Sequence, residues 1–418
     1  MLYLDTAATT PLHPSVVALM IKVMSEHYGN PSSLHQIGLE AENLLKQSRQ
    51  TLLFLTAFQS AQLFFTSGAT EANNWAIESA WLSRNKRGKT ILTSETAHAS
   101  VLEKMETMKA RGATVIRIPV TKFGILDLQA LEKALNEDVI FVSLLWVNNE
   151  TGVIEPVSTL LTKIRQKAPR ALVHVDAVQG FLKLQKPSWI NGVDFLSISA
   201  HKIYGPKGVG ALVVRENLPL HPLIYGGGQE AQKRGGTENV PGICGFAEAA
   251  KILWKERESN FEKIKSIQQE FEAYILSNLE NVRVNGAAAA STAIDHRRSE
   301  VSASNAAIAH HQDEGSAIPS RSPYISSLSI QGVRGEVMVH ALTIAGVIVS
   351  TGAACSSKKA PVSHVLQAMK VPKDLLEGSI RVSFSPGLHL DEVLLAAKKI
   401  VDTTQKLRKN GGELGKLF

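Results

Sequence analysis

The chain has 418 residues, of which 44% are hydrophobic and 20% are charged, so it is long enough for two domains around a large core. No apolar stretch reaches the roughly 18 residues that a membrane span needs, and the N-terminus lacks the basic region of a secretory signal, so we expect a cytoplasmic protein without membrane contact. The net charge is +7, but no basic stripe is interleaved with aromatic residues, so direct nucleic-acid binding is not expected and an acidic protein partner explains the charge equally well.

Short β-rich runs alternate with helical periodicity through the first part of the chain. After an extended arm at 1–12, the pattern predicts two helices, at about 15–28 and 38–54. The predicted strands that follow are 62–66, 90–93, 114–118, 139–145, 171–175, 194–199 and 209–214. The predicted helices between them are 72–84, 97–109, 128–135 and 157–166. This alternation predicts an α/β fold with a mainly parallel, doubly wound sheet, whose ligands bind at the carboxyl ends of the strands.

A long helix at about 242–279 is predicted to lead into a smaller α+β domain. We place the large domain at 13–257 and the small domain at 1–12 together with 258–418. The strands predicted in the small domain are 282–284, 324–330, 347–349 and 379–384, and its helices are 334–345, 362–369 and 390–408. Residues 286–322 are rich in Ala and Ser, so we predict a mobile insertion. No metal site is expected, because nothing completes a coordination shell around His310, His311 and Asp313.

Lys202 lies just after a predicted strand, in the loop SAHKIYGPKG. A lysine at this position is held on rigid backbone yet open to a cleft, as a Schiff-base amine must be. A lone lysine is more often an ordinary surface residue. The neighbouring strand ends therefore decide how Lys202 is interpreted.

The strand in LVHVDAVQG ends in Asp176, with Gln179 three residues later. The carboxylate could ligate a metal or pair with a protonated ring nitrogen. Pyridoxal phosphate needs the second arrangement, because its protonated pyridine draws electrons from the substrate. Gln179 could then form a hydrogen bond to the ring hydroxyl.

FTSGATEAN follows another strand and opens a helix, so the amides of Ala69 and Thr70 could bind a phosphate. A plain helix cap is the simpler interpretation of that turn. Ser199 and His201, next to Lys202, offer further donors. His98, just past a strand, could stack on a ring or move protons, or could be a capping or core histidine.

Asn149, in VNNETG, could reach a ligand's oxygens, although Asn is also common in turns. Arg381 lies inside a strand pattern, where a guanidinium is expected to meet a carboxylate. Cys355 lies among small polar residues in STGAACSSKK, which favours an exposed thiol nucleophile. Cys244 has apolar neighbours at helical spacing and is expected in the core.

Together these stretches resemble the cysteine desulfurases, a NifS-like family of class V aminotransferases. The stretches that carry the resemblance, in the family's order, are YLDTAATTP, GNPSS, FTSGATEAN, VNNETG, VHVDAVQG, SAHKIYGPKG, RGGTENVPG, STGAACSS and SIRVSFS. They cover essentially the whole chain outside the insertion. The resemblance implies a fold type I transferase with pyridoxal phosphate as cofactor.

The resemblance also implies roles at the cofactor. Lys202 matches the lysine that binds the cofactor covalently, Asp176 the partner of the ring nitrogen, and Gln179 the contact to the ring oxygen. His98 matches the histidine that stacks on the ring. The residues that match phosphate ligands are Thr70, Ser199, His201 and, supplied by the neighbouring subunit of a homodimer, Thr237.

For the reaction, Asn149 and Arg381 match the groups that bind the substrate carboxylate, and Cys355 matches the nucleophile. The implied activity converts L-cysteine to L-alanine. Lys202, with His98 nearby, moves the α-proton, and the Cys355 thiolate takes the sulfur as a persulfide. A sulfur-acceptor protein, of unknown identity, is expected to receive it.

Other functions stay open at this point. A selenocysteine lyase, or another fold type I lyase or aminotransferase, would share most motifs, although a transaminase has no use for the Cys355 nucleophile. A non-catalytic protein with this fold belongs to a different class, but no matched catalytic position is substituted. The insertion at 286–322 is longer than the family's usual connection, and RKNGGELGKLF does not resemble the tail offered to an iron-sulfur scaffold. Iron-sulfur cluster assembly and tRNA or cofactor thiolation are therefore both retained as destinations of the sulfur.

Overall fold

The computed structural model describes residues 1–286, 320–352 and 362–410. Its strands are β1 (Leu2–Tyr3), β2 (Ala61–Thr66), β3 (Thr90–Ser94), β4 (Thr114–Ile118), β5 (Val139–Leu145), β6 (Leu172–Asp176), β7 (Phe195–Ser199), β8 (Gly210–Arg215), β9 (Val282–Val284), β10 (Ile325–Ile330), β11 (Val347–Ile348) and β12 (Ser379–Ser383). Its helices are α1 (Pro14–Glu26), α2 (Gln36–Thr56), α3 (Ala69–Arg84), α4 (Ala99–Lys109), α5 (Leu128–Ala134), α6 (Val157–Lys167), α7 (Gln229–Gln232), α8 (Val240–Asn278), α9 (Gly335–Ile344), α10 (His364–Ala368), α11 (Lys373–Leu376) and α12 (Leu390–Lys409).

A seven-stranded sheet, in the order β2-β8-β7-β6-β5-β3-β4, forms the centre of the fold. Strands β4, β3, β5, β6 and β7 pair in parallel, whereas β8 pairs antiparallel with both β7 and β2. Every residue of β5, β6 and β7 is buried, because helices cover both faces of a parallel sheet. The predicted mainly parallel, doubly wound α/β sheet is confirmed.

The predicted elements agree with the structure to within a few residues at each end. Three short elements were not predicted: β1, α7 and α11. The predicted extended arm contains β1, which pairs in parallel with β11 through Leu2 and Val347. That pairing joins chain segments about 345 positions apart, so local sequence carries no signal for it.

Helix α8 connects two hydrophobic cores. Leu253, on its first half, packs in the core of the large sheet, and Ile264, on its second half, packs in a core that includes Leu4 and β9, β10 and β12. Those three strands form an antiparallel sheet in the order β12-β10-β9. The N-terminal arm therefore packs with the carboxyl-terminal third of the chain.

Residues 287–319 of the predicted insertion, including His310, His311 and Asp313, lie outside the described residues. The last residues of the predicted insertion are packed against helix α8. Arg321 forms a two-point ion pair with Glu272 of α8 (2.9 and 2.7 Å), and Ser322 is only 1% exposed. In the part of the chain that the structure describes, no helix has both the length and the apolar character to cross a membrane.

Candidate active site

A cavity of about 540 Å³ opens at the carboxyl ends of the central strands. It lies where the parallel sheet places ligands in doubly wound folds. Nine residues singled out from the sequence line it: Ala69, Thr70, His98, Asn149, Asp176, Gln179, Ser199, His201 and Lys202. Thr237 and Arg381 lie outside this lining, and Cys355 lies outside the described residues.

Lys202 enters the cavity from a short helical turn that directly follows β7. The residue is 8% exposed, and its Nζ donates to the backbone oxygens of Ala7 (2.7 Å) and Ala8 (2.6 Å). The N-terminal arm supplies both oxygens, because Thr10 N donates to the backbone oxygen of His201 (2.9 Å) and holds the arm beside this turn. The lysine is thus fixed on rigid backbone at a strand end.

Asp176 ends β6 and belongs to a polar network. Its Oδ2 accepts from Asn73 Nδ2 (2.8 Å) and its Oδ1 from the backbone N–H of Val178 (3.1 Å). Asn73 Nδ2 also donates to the hydroxyl of Ser100 (2.9 Å). The carboxylate is 4% exposed, and these donors hold it at the cavity wall.

His98 caps helix α4 and lines the cavity at the same time. Its Nδ1 accepts from the backbone N–H of Ser100 (3.2 Å) and lies 2.8 Å from that residue's hydroxyl. Because Nδ1 accepts from the amide, the neutral ring carries its proton on Nε2. His98 therefore both caps α4 and lines the cavity, and its stacking on a ring stays a prediction.

The start of α3 is suited to an anion, and we call it the anion-binding turn. Gly68 occupies the cap position without a capping side chain, so the first amides of α3 face the cavity beside Ala69 and Thr70. Ser199 Oγ lines the same cavity, is buried, and has no hydrogen-bond partner among the described residues. An unpartnered buried hydroxyl indicates a ligand oxygen at this position.

Positive charge dominates the cavity. Burial, together with the positive charges of Lys202, Lys207 and Lys183, lowers the pKa of His201 to about 4. His201 is therefore neutral near pH 7, and its Nδ1 lies 3.2 Å from Thr9 Oγ1. A site surrounded by lysines is suited to a phosphate and a carboxylate.

Arg381, in β12, is 1% exposed and lies next to the cavity behind Asn149. Its Nη1 donates to the backbone oxygen of Asn149 (2.9 Å) and its Nη2 to Asp5 Oδ1 (2.8 Å). A guanidinium inside a strand was expected to meet a carboxylate, and that carboxylate is Asp5 of the same chain. Nε of Arg381 is buried without a partner among the described residues.

Glu150 follows Asn149 and is 4% exposed. Its Oε2 accepts from the hydroxyl of Ser363 (2.5 Å). Burial raises the pKa of Glu150 to about 7, although Ser363, Arg381 and His98 act in the opposite direction. A large part of the Glu150 population is therefore protonated at neutral pH.

Sequence reasoning missed Asn73, Asp5, Glu150 and Lys183. Asn73 and Asp5 fall inside the motifs FTSGATEAN and YLDTAATTP, so position within a motif was the available signal. Their partners come from β6 and β12, more than 100 residues away. Cys244 is buried in the core of the large sheet, and burial raises the pKa of its thiol.

The fold and the lysine-bearing cavity define a class of protein: an α/β enzyme of the class V aminotransferase type. The family model of class V aminotransferases matches residues 2–321. A cysteine desulfurase IscS of Dictyoglomus turgidum is 38% identical over 387 residues, covering 93% of this chain and 90% of that protein. A solved NifS-like protein is 32% identical, with a TM-score of 0.83, covering 97% of this chain and all of that one. The structure of SspA in complex with cysteine is 26% identical, with a TM-score of 0.73, covering 92% of this chain and 99% of that one.

The chain belongs to the class V aminotransferase family and, within it, to the cysteine desulfurases. Members of this family depend on pyridoxal phosphate. The cavity fits that group. Ser199 Oγ and the uncapped start of α3 suit its phosphate, Asp176 suits its ring nitrogen, and Lys202 suits its aldehyde carbon.

Proposed function

We propose that the protein converts L-cysteine to L-alanine on pyridoxal phosphate and passes the sulfur to Cys355. The observation that carries the proposal is a buried lysine at a strand end that shares one cavity with the buried carboxylate of Asp176. The structure of SspA in complex with cysteine, a related protein, supports L-cysteine as the substrate.

The residues that line the cavity have different proposed roles in the reaction. Pyridoxal phosphate, when bound, supplies an electron sink that stabilises negative charge at the α-carbon of an amino acid. Asp176 keeps a proton on the ring nitrogen, because Asn73 and the Val178 amide hold the carboxylate in place. We assign removal of the α-proton to the Lys202 amine, with help from Nε2 of His98, because both residues line the cavity.

Arg381 and Asn149 are the groups proposed for the substrate carboxylate. The N–H on Nε of Arg381 has no hydrogen-bond partner among the described residues. Asn149, which contacts Arg381, lines the cavity. A guanidinium that already contacts Asp5 is held in one orientation, so less side-chain entropy is lost when a substrate binds.

In the sulfur step the Cys355 thiolate attacks the sulfur of the substrate. The substrate Cβ–S bond breaks and a Cys355 Sγ–S bond forms. The electron pair stays with Cβ, which is then protonated to the methyl group of alanine. The carbon is reduced as the sulfur is oxidised, so the step needs no external redox partner.

The activity is tested by incubating the protein with pyridoxal phosphate and L-cysteine in the presence of a thiol reductant and without any keto acid. Equal amounts of alanine and sulfide are expected, and Lys202→Ala is expected to abolish both. Lys186→Ala, which changes an exposed lysine of the β6–β7 connection, is the matched control and should keep full activity. Alanine formation that depends on added keto acid would instead indicate an aminotransferase.

We also propose that the protein works as a homodimer in which Thr237 serves the neighbouring site. Thr237 is exposed and lies outside the lining of its own cavity. Large apolar side chains are exposed nearby, since Leu34 is 93% and Tyr225 is 82% exposed, and residues 31–32 and 228–231 line one surface cavity. Such side chains are typical of a subunit interface.

Hybrid dimers test the shared site. Subunits carrying Lys202→Ala and subunits carrying Thr237→Val are each expected to be impaired alone. Mixing them creates dimers with one site that has both native residues, so activity should rise above that of either variant. Unchanged activity in a mixture shown to exchange subunits would contradict the shared site.

A further inference from the structure

Lys183 is a second buried lysine beside the cavity, and neither the reaction nor the comparisons use it. It lies in the turn after β6, four residues beyond Gln179, and is 5% exposed. An amine buried to this extent loses hydration energy that an apolar side chain would not lose. The burial of this amine therefore points to a functional role.

The contacts of Lys183 lead directly to the cofactor cavity. Its Nζ donates to Oε1 of Gln179 (3.1 Å). The Nε2 of Gln179 in turn donates to the backbone oxygen of Ala7 (3.0 Å), which also accepts from Lys202 Nζ (2.7 Å). Lys183 and Lys202 are thus joined through one amide and one carbonyl.

These contacts fix the amide of Gln179 in one of its two orientations. Only with Oε1 toward Lys183 and Nε2 toward Ala7 are both hydrogen bonds made. An amide nitrogen carries two hydrogens, and the Ala7 oxygen takes one of them. The second can therefore reach an oxygen of a ligand in the cavity that Gln179 lines.

Charge adds a second effect. Burial, together with the positive charges of Lys202 and Arg381, lowers the pKa of Lys183 to about 7. The repulsion is mutual, so Lys183 also disfavours a proton on Lys202. The other ionisable groups around the pair are Asp176, Asp5, His201 and Lys207, together with Tyr324, whose ring centroid lies 5.8 Å from Nζ of Lys183.

We propose that Lys183 is a positioning residue of the desulfurase: it turns an N–H of Gln179 toward the ring oxygen of the cofactor and places a positive charge near Lys202. The inference rests on the proposed function. In this role Lys183 helps to set the pH range in which the Lys202 nitrogen holds a proton. A donor to the ring oxygen and a nearby positive charge both disfavour that proton.

The test compares Lys183→Met with Lys186→Met, a matched change at an exposed lysine in the same connection. Apo protein is titrated with pyridoxal phosphate, and the visible absorbance of the loaded protein is then followed against pH. Lys183→Met should weaken cofactor binding about fivefold and raise the apparent pKa of the absorbance change by about one unit. Lys186→Met should change neither. An unchanged apparent pKa in Lys183→Met would overturn the charge effect.

Two further variants separate the effects. Lys183→Gln keeps an N–H donor without the charge, so it should shift the apparent pKa while binding the cofactor more nearly as the native protein does. In a Gln179→Leu background, adding Lys183→Met should weaken binding little further. A full fivefold loss in that background would overturn positioning through Gln179. Failure of the native protein to bind pyridoxal phosphate at all would instead count against the proposed function.

Discussion

At the scale of single residues, the site depends on ionisable groups that are held by specific neighbours. Asp176 is held by two donors, His98 has its tautomer fixed by a backbone amide, and burial raises the pKa of Glu150. Residue types and strand ends predicted Asp176 and His98. Glu150 and Lys183 could not be predicted, because what distinguishes them is burial, which depends on packing from distant segments.

Asp176→Asn should lower turnover of L-cysteine by about 100-fold, because a neutral amide holds the ring proton less strongly than a carboxylate. The amide oxygen can still accept from Val178 N, and Asn73 can turn its amide so that its buried, unpartnered Oδ1 accepts from the new N–H, so the free energy of unfolding should change little. Turnover is measured with saturating cofactor. Asp402→Asn, at an exposed position of α12, is the control and should leave turnover unchanged. Native turnover in Asp176→Asn would exclude the carboxylate from this role.

Glu150→Gln should change how stability depends on pH. The folded-state pKa of Glu150, about 7, exceeds the ordinary value of 4.5, so the neutral form is favoured in the fold. The native protein therefore loses stability relative to Glu150→Gln as pH rises from about 4.5 through about 7, by about 3 kcal/mol in all. Gln can still accept from Ser363.

Urea unfolding of both proteins at about pH 5 and about pH 8 measures the difference. The free energy of unfolding of Glu150→Gln relative to the native protein should increase between the two conditions. Glu137→Gln, at a side chain that is 88% exposed, should show no such increase. A constant difference between Glu150→Gln and the native protein would mean that Glu150 is ionised in the fold across this range.

At the scale of elements, the anion-binding turn depends on how closely β8 passes the start of α3. A Cβ on Gly210 would lie 2.7 Å from the Cα and carbonyl carbon of Gly68 and 2.8 Å from the backbone oxygen of Ile198. The sequence predicted both the strand and the turn, because each has a local pattern. It did not predict their contact, which follows from the antiparallel pairing of β8 in the sheet.

Gly210→Ala should displace the Gly68 turn, because backbone atoms cannot move aside as a flexible side chain can. We expect a loss of about 1 to 3 kcal/mol in the free energy of unfolding, together with weaker binding of pyridoxal phosphate. Gly387→Ala is the matched control, since a Cβ at this exposed glycine meets only Ser385 Oγ, at 3.7 Å. Equal cofactor affinity in the two variants would show that the turn tolerates the shift.

At the scale of the whole molecule, the N-terminal arm links the core around β9, β10 and β12 to the site. Asp5 contacts Arg381, the Ala7 amide donates to the hydroxyl of Ser383 (2.9 Å), and the carbonyls of Ala7 and Ala8 hold Lys202. The arm was predicted as extended chain that belongs to the small domain, with no contact specified. Its role could not be predicted, because every one of these contacts spans nearly 200 residues or more.

Asp5→Ala should leave the buried Arg381 guanidinium without a carboxylate. We expect the free energy of unfolding to fall by about 3 kcal/mol, because an unpaired buried charge is costly. Thermal or urea unfolding measures the loss, and Asp402→Ala, on the exposed face of α12, should have little effect. A loss no larger than that of the control would mean that water or another group replaces the carboxylate.

The central claim is that Lys202 is the amine that binds the cofactor covalently. Reduction of the protein loaded with pyridoxal phosphate by borohydride, followed by peptide mass spectrometry, tests it most directly. We expect a single pyridoxyl group on Lys202. A pyridoxyl group on Lys183 or Lys207 instead, or none on any lysine of the cavity, would contradict it.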